Sequence, residues 1–288
     1  MARADHTNVS GNCPNCDNML HGRFCSTCGQ DQRIAPLTFV GMLREAFEEL
    51  TDVDGRFIKT VVTLLIRPGR ITTDYLHRRR AGYLPPLRMY LVTSVVLYFV
   101  LGTLTAQLTF QIDLIDSSSV GAFEDRSVAD RGLVEELDAR LDDMSSSPDF
   151  GTRVIAHLPE VGFILLPFVG LILKMLFLGR RHPFGEHLLA AVHIKTGVFL
   201  IVIIVAIGIG LASALGVTAA STAVSGNWPA RVVLLISSLY VGACLFEIYG
   251  GNVFLSIIKT LLLLVSYWIL ASIGLMGVAV ILALMPTT

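Results

Sequence analysis

Four cysteines near the N-terminus carry the most specific chemistry in the chain. Cys13-Pro14-Asn15-Cys16 and Cys25-Ser26-Thr27-Cys28 are two C-x-x-C pairs separated by eight residues, and Gly29 follows the second. Each pair, with its turn-forming neighbours, can fold into a knuckle whose two thiolates and backbone N–H groups face one cation. Two knuckles close a tetrahedral four-cysteine site, the geometry Zn²⁺ prefers when its role is structural. Four thiolates leave no open coordination position, so the chemistry expected is the cross-linking of a small fold and not hydrolysis. A pair of disulfides and a thioredoxin-like redox motif are other readings of this spacing. Disulfides conflict with a cytosolic location, and no βαβ pattern surrounds either pair. An iron centre is the main remaining alternative to zinc. His6 and His21 lie nearby and are unnecessary as ligands, while Cys244 sits in an apolar run and reads as a small core residue.

A second group consists of ionisable residues in or beside apolar runs: Glu186, His187, His193, Lys195, Glu247 and Lys259. Such groups are costly at membrane depth and are site candidates for that reason. Glu186 and His193 are seven apart, two turns along one helix face, so they could share a groove with Arg180 or His182. An ion pair of Glu247 with Lys259 or Lys195 would neutralise both charges near the interface. Two readings stay open. In one, paired charges and snorkelling lysines fix helix register; in the other, the cluster binds a lipid headgroup or an ion, or relays protons. The i, i+4 histidine pair of membrane metalloproteases, a Gly-x-Ser-x-Gly elbow and a P-loop are all missing from the sequence. No catalytic residue is therefore assigned, and no enzyme is expected.

The elements that must position these residues follow from composition. Of 288 residues, 53% are hydrophobic and 16% charged, against about 25% charged in ordinary soluble domains. Mean hydropathy is +0.66. Lys plus Arg is 22 and Asp plus Glu is 23, so net charge gives no argument for a nucleic-acid partner. The fold class expected is an all-α polytopic membrane protein of about five transmembrane helices, with a small N-terminal four-cysteine zinc ribbon and juxtamembrane amphipathic helices. A bilayer core needs about 20 apolar residues per helix, which places spans at 87–112, 159–178, 187–212, 230–249 and 260–285. The ribbon occupies 1–35, the juxtamembrane helices 36–86, and an acidic extracytoplasmic loop 113–158.

Within 36–86, Thr38 can cap a helix carrying Phe39, Leu43, Phe47 and Leu50. A second helix places Phe57, Val61, Leu64 and Leu65 on one side and ends at Pro68-Gly69. A third, from Ile71 to Arg80, carries three arginines. Arg78, Arg79, Arg80 and, at the mouth of the first span, Arg88 form a basic cluster suited to anionic headgroups. The same helices could equally pack on the face of the membrane domain.

Orientation follows from the arginines. The first thirty residues lack an apolar signal segment, which leaves the N-terminus on the side of synthesis. Arg67, Arg70, Arg78 to Arg80 and Arg88 precede the first span, whereas the loop from Asp113 to His157 holds eleven acidic and four basic residues. An N-in, C-out arrangement of five spans satisfies the positive-inside rule. The loop's Val128 to Met144 reads as an acidic helix. From Thr196 to Ala230 there are 35 uncharged residues that could hold a re-entrant turn. Gly208, Ala212, Gly216 and Ala220 recur four apart and would permit close helix contact within the chain or between protomers.

Several runs together resemble an uncharacterised, domain-of-unknown-function family of bacterial multi-pass membrane proteins with an N-terminal zinc ribbon. They are Cys13-x-x-Cys16 with Phe24-Cys25-Ser26-Thr27-Cys28-Gly29-Gln30; Asp54-Gly55-Arg56-Phe57 to Thr60; Leu64-Leu65-x-x-Pro68-Gly69; Tyr75-Leu76; and Arg79-Arg80-x-x-Tyr83-x-x-Pro86. Glu186-His187-Leu188 with His193, and Tyr249-Gly250-Gly251, continue the resemblance beyond the first span. It covers most of the chain apart from the acidic loop. It implies a bacterial inner-membrane location and no activity. The function expected is that of a non-enzymatic adaptor or assembly factor docking through a structural zinc ribbon. The alternative is a transporter, channel or lipid-handling protein whose polar site lies near Glu186, His193, Lys195, Glu247 and Lys259. Expected partners are membrane lipids and a protein partner or a second copy of the chain, without nucleic acid.

Overall fold

A computed structural model describes residues 11–32, 38, 40–42, 56–113, 157–179, 182–215 and 228–284. Among them the protein is helical, with two isolated β-bridges and no strand. Two short helices, α1 (Arg56–Ile66) and α2 (Arg70–Leu76), precede a long α3 (Pro86–Asp113). Then come α4 (Leu158–Ile164), α5 (Leu166–Leu176), α6 (Phe184–Ala214), α7 (Trp228–Tyr249) and α8 (Val253–Leu284). Among the described residues, four helices are long and apolar enough to cross a membrane: Pro86–Thr103, Phe184–Ala212, Pro229–Tyr249 and Val253–Val278. The chain is thus a membrane protein by the length and composition of its helices.

Prolines stand in the first turn of half of these helices, at positions where a missing N–H loses no hydrogen bond within the helix. Pro86 opens α3, Pro159 and Pro167 sit in the first turns of α4 and α5, and Pro229 opens α7. Asn252 caps α8, its side-chain oxygen accepting from Phe254 N–H at 3.0 Å.

The run expected to span at 159–178 is not one regular helix. Pro167 lacks the N–H that would bond to Phe163, and the helix is interrupted at Leu165. The backbone nevertheless carries on through the interruption. Leu165 keeps right-handed helical angles (φ −75°, ψ −16°). It donates to Val161 and accepts from Val169, at 2.9 and 3.0 Å.

Three other expectations on element boundaries change. The last helix begins at Val253 rather than 260, because the Gly250–Gly251 turn and the Asn252 cap set its start; Lys259 therefore lies inside it. The helix from Ile71 ends at Leu76, so the three arginines follow it instead of riding on it. Arg78 is left-handed (φ 62°), with Arg78 N–H to Tyr75 O at 3.1 Å and Arg79 N–H to Asp74 O at 2.8 Å. This is the two-bond Schellman ending, made here without glycine. The uncharged stretch from Thr196 stays helical to Ala214. Most of the acidic loop, the 128–144 helix, residues 216–227 and most of the helix capped by Thr38 lie outside the described residues. The Thr38 cap itself is made: its hydroxyl accepts from Gly41 N–H at 3.1 Å.

The centre of the bundle is α6, which touches α1, α2, α3, α5 and α7. Of its apolar window 44% is buried, against 6% for α8, which lies on the outside against α4, α5 and α7. One core cluster joins Leu64, Ile71 and Tyr75 to Leu87, Tyr90, Leu166, Leu188 and Val192. The juxtamembrane helices are therefore built into the bundle and do not merely lie on a surface. Gly69 makes that possible. At φ +83° it starts α2 against α7, where a Cβ would stand 2.8 Å from Glu247 Cβ and 3.0 Å from Cys244 O.

Candidate functional site

The head repeats one unit twice at a spacing of twelve residues. Cys13 N–H bonds to Asn18 O as Cys25 N–H bonds to Gln30 O, and Asp17 N–H to Cys13 O as Gly29 N–H to Cys25 O. The bridge Asn12–Met19 matches the bridge Phe24–Asp31. The turn after each C-x-x-C needs a left-handed residue. Gly29 supplies it at φ 73° and Asp17 at φ 64°, aspartate being among the few side chains that tolerate it.

These knuckles bring four sulfurs together. Cys13 Sγ lies 3.6 Å from Cys28 Sγ, Cys16 Sγ lies 3.5 Å from Cys25 Sγ, and all four are within 4.8 Å of one another. A disulfide would require about 2.05 Å. Tetrahedral metal–sulfur bonds of about 2.3 Å place sulfurs about 3.8 Å apart, which fits this set. The four cysteines can hold a metal ion. Backbone N–H groups of Cys28 and Thr27 aimed at Cys25 bring its thiol down to about 6. Cys16 goes the other way, to about 12: the N–H of Asn18 favours its thiolate, but desolvation and the three neighbouring sulfurs outweigh it.

The head is fastened to the membrane part by Gln30, which is 7% exposed. Its Nε2 donates to Arg78 O at 2.8 Å, and its Oε1 accepts from Arg80 N–H at 3.1 Å and Ala81 N–H at 3.2 Å. The receiving turn is itself held. Tyr75 Oη donates to Leu84 O at 2.9 Å, and Leu84 N–H donates to Thr60 Oγ1 at 3.1 Å. Arg78 and Arg79 are exposed, as a headgroup-facing cluster requires. Arg80 is half-buried with its guanidinium over the Tyr75 ring, and Arg88 is buried, so these two are parts of the fold.

The ionisable residues of the spans divide between a cluster around Tyr249, which gathers His182, Glu186, His187 and, through Phe177, Lys259, and the separate surroundings of His193 and Lys195. His193 is buried beneath α2, where Thr72 Oγ1 meets its Nδ1 at 3.0 Å and the Tyr75 ring stands edge-on at 5.4 Å. It does not share a groove with Glu186, whose partner is His182. His187 stacks on Tyr249 and meets its hydroxyl at 2.7 Å through Nδ1, while Nε2 is buried without a partner. Phe177 stacks on the same tyrosine, and Lys259 Nζ lies 4.0 Å from the Phe177 ring centroid. Glu247 is exposed. The expected ion pair between Glu247 and either lysine is not formed, because Lys259 faces an aromatic ring and Lys195 is committed elsewhere. Lys195 is 7% exposed and does not snorkel. It donates to Gly162 O at 3.0 Å, with the Tyr267 ring at 5.0 Å and the Phe199 ring at 5.8 Å. Gly208 of the small-residue stripe has open space beside it.

Thr72 and Gly162 are contact residues that sequence patterns did not single out, and Gln30 stood in a family-like run without a role of its own. Gln30 had one available signal, as a polar residue directly after the second knuckle's glycine.

A family model described as "Protein of unknown function (DUF3667)" matches residues 54–99. The matched stretch holds α1, α2, the turn that receives Gln30 and the first half of α3. No curated protein and no solved structure matches the chain.

Proposed function

We propose that the chain is a non-enzymatic adaptor or assembly factor of a bacterial inner membrane, in which Zn²⁺ held by Cys13, Cys16, Cys25 and Cys28 gives the head its shape. The observation that carries this reading is the three-bond attachment of Gln30 to the 78–81 turn. It makes the head a fixed projection of the bundle, a suitable surface for a protein partner. Zinc suits the role because a closed four-sulfur site binds no substrate and asks for no redox change. Met19 and Phe24, 66% and 56% exposed, offer apolar contacts at that surface. Five spans, counting α4 with α5 as one proline-interrupted segment, put the N-terminus in the cytosol and the C-terminus outside, as the arginine distribution favours. The second reading, a transporter or channel, needs one polar path through Glu186, His193, Lys195, Glu247 and Lys259; Glu186 and Lys259 both adjoin the Tyr249 cluster, whereas His193 and Lys195 have other partners and Glu247 is exposed.

A photocrosslinking amino acid placed at Met19 or Phe24 in living cells tests the adaptor reading. A recurrent adduct with one protein, lost in the Cys13→Ser/Cys25→Ser variant, is expected. Adducts to lipid alone would overturn the reading.

A further inference from the structure

Helix α1 carries more apolar surface than the bundle covers. A helix turns about 100° per residue, which divides the eleven residues of α1 among three faces. Thr60 and Leu64 are buried in the bundle, with Val61 and Leu65 packed beside them. Ile58, Val62 and Ile66 recur four apart in a row on another face and are 70%, 45% and 73% exposed. Lys59 and Thr63 follow on the third face, and Arg67 and Arg70 stand exposed beyond the end of the helix. Apolar side chains exposed singly need no explanation, whereas three in one row form a patch that asks for a partner.

The height of α1 along the bundle says what meets this row. Thr60 Oγ1 accepts from Leu84 N–H at 3.1 Å, just before the first spanning segment opens at Pro86. α1 also touches α6, whose spanning segment opens at Phe184, and Leu64 belongs to the same core cluster as Leu87 and Leu188. α1 is thus level with the first turns of two spanning helices, where hydrocarbon gives way to headgroups. Charge there is one-sided. Residues 56–88 hold eight basic residues and one acid. That acid, Asp74, is already committed: it accepts from Tyr83 Oη at 2.8 Å and pairs with Arg70 at 3.4 Å.

We infer that α1 is a lipid-binding surface, with Ile58, Val62 and Ile66 entering the acyl boundary of one leaflet and Lys59, Arg67 and Arg70 holding anionic phospholipid headgroups. The three faces of the helix fit three surroundings in turn: protein, acyl chains and phosphates. An anionic leaflet is the partner the charges select, because each basic residue near such a surface is drawn by its negative potential. A second copy of the chain packed face to face would set the same cations against themselves. The surface needs neither the metal nor a protein bound to the head. The adaptor reading is tested at Met19 and Phe24 and this one at Val62, so their failures are separately visible.

The test uses the purified full-length protein in nanodiscs of equal phosphatidylglycerol and phosphatidylcholine, with a photoreactive amino acid at Val62 and mass spectrometry of the adducts. Lipid adducts are expected, with phosphatidylglycerol favoured at least about fivefold, the worth of one basic residue at an anionic surface. Lys59→Gln/Arg67→Gln/Arg70→Gln should bring that ratio down to about one. So should about 1 M salt, which screens charges beyond about 3 Å and needs no substitution. Cross-links from position 62 to residues 43–55 or to another protein, in place of lipid, overturn the inference. So does a wild-type ratio of about one, or a preference that survives the triple substitution or the high salt.

Discussion

The head and the bundle meet at Gln30 but are stabilised by different means. Between residues 11 and 32 the buried hydrophobic residues are Cys13, Leu20 and Cys25. The bundle, by contrast, buries two clusters of thirteen residues each, centred on α6. A fold as small as the head cannot bury enough apolar surface to offset the entropy of its own ordering, and a metal ion held by the four cysteines would supply what is missing. The bundle needs no such staple. Several of its buried polar side chains pair between close-packed helices, Thr72 with His193, His187 with Tyr249 and Lys195 with the Gly162 carbonyl. The lesson is that damage to one region should be separable from damage to the other, with the Gln30 attachment tying them together.

Three perturbations would break or sharpen that contrast. The largest effect belongs to Cys13→Ser/Cys25→Ser. Structural zinc contributes about 10–16 kcal/mol to folds of this kind, so this variant should lose its one metal ion per chain and the order of residues 11–32. Elemental analysis checks the first and amide exchange the second, while the melting temperature of the bundle should stay where it was. A bundle that melts with the head would erase the distinction. Next comes Gly69→Ala, which acts on the bundle alone. The left-handed φ and the contacts with Glu247 Cβ and Cys244 O together should destabilise the helices by about 2–4 kcal/mol. Thermal unfolding followed by circular dichroism would show it, with metal content unchanged. The smallest effect belongs to Gln30→Ala, about 1–2 kcal/mol for the loss of partly exposed hydrogen bonds. Limited proteolysis between residues 33 and 55 should quicken, with both the metal and the bundle intact.

What the sequence reveals and what it hides divides along the same line. The four-cysteine cluster is legible because its chemistry depends on local spacing: Cys13 to Cys25 and Cys16 to Cys28 are the same twelve-residue step. The apolar face of α1 is legible in part for the same local reason: Val61, Leu64 and Leu65 recur at helical spacing and pack inward, whereas Phe57 is exposed and Thr60 is buried. The partners of the ionisable residues are not. Thr72 and His193 are 121 residues apart, His187 and Tyr249 are 62 apart, and Lys195 and Gly162 are 33 apart, so each pairing is decided by how whole helices pack. A basic face on a helix and a left-handed Arg78 look alike in sequence, because arginine carries no marker of the ending it adopts here. Pro167 is the opposite case: the marker of a helix interruption is present, inside a run whose hydropathy alone reads as one continuous span.

The central claim is that a metal-dependent head is fastened to the bundle through Gln30. Hydrogen exchange at the Arg80 and Ala81 amides tests it most directly, since both donate to Gln30 Oε1. Full-length protein should show these two amides protected when metal is bound. They should exchange faster after chelation and in Gln30→Ala, while α6 amides hold their protection throughout. Amides at 80 and 81 that exchange at the same rate with and without metal, and with and without the glutamine side chain, would contradict the account.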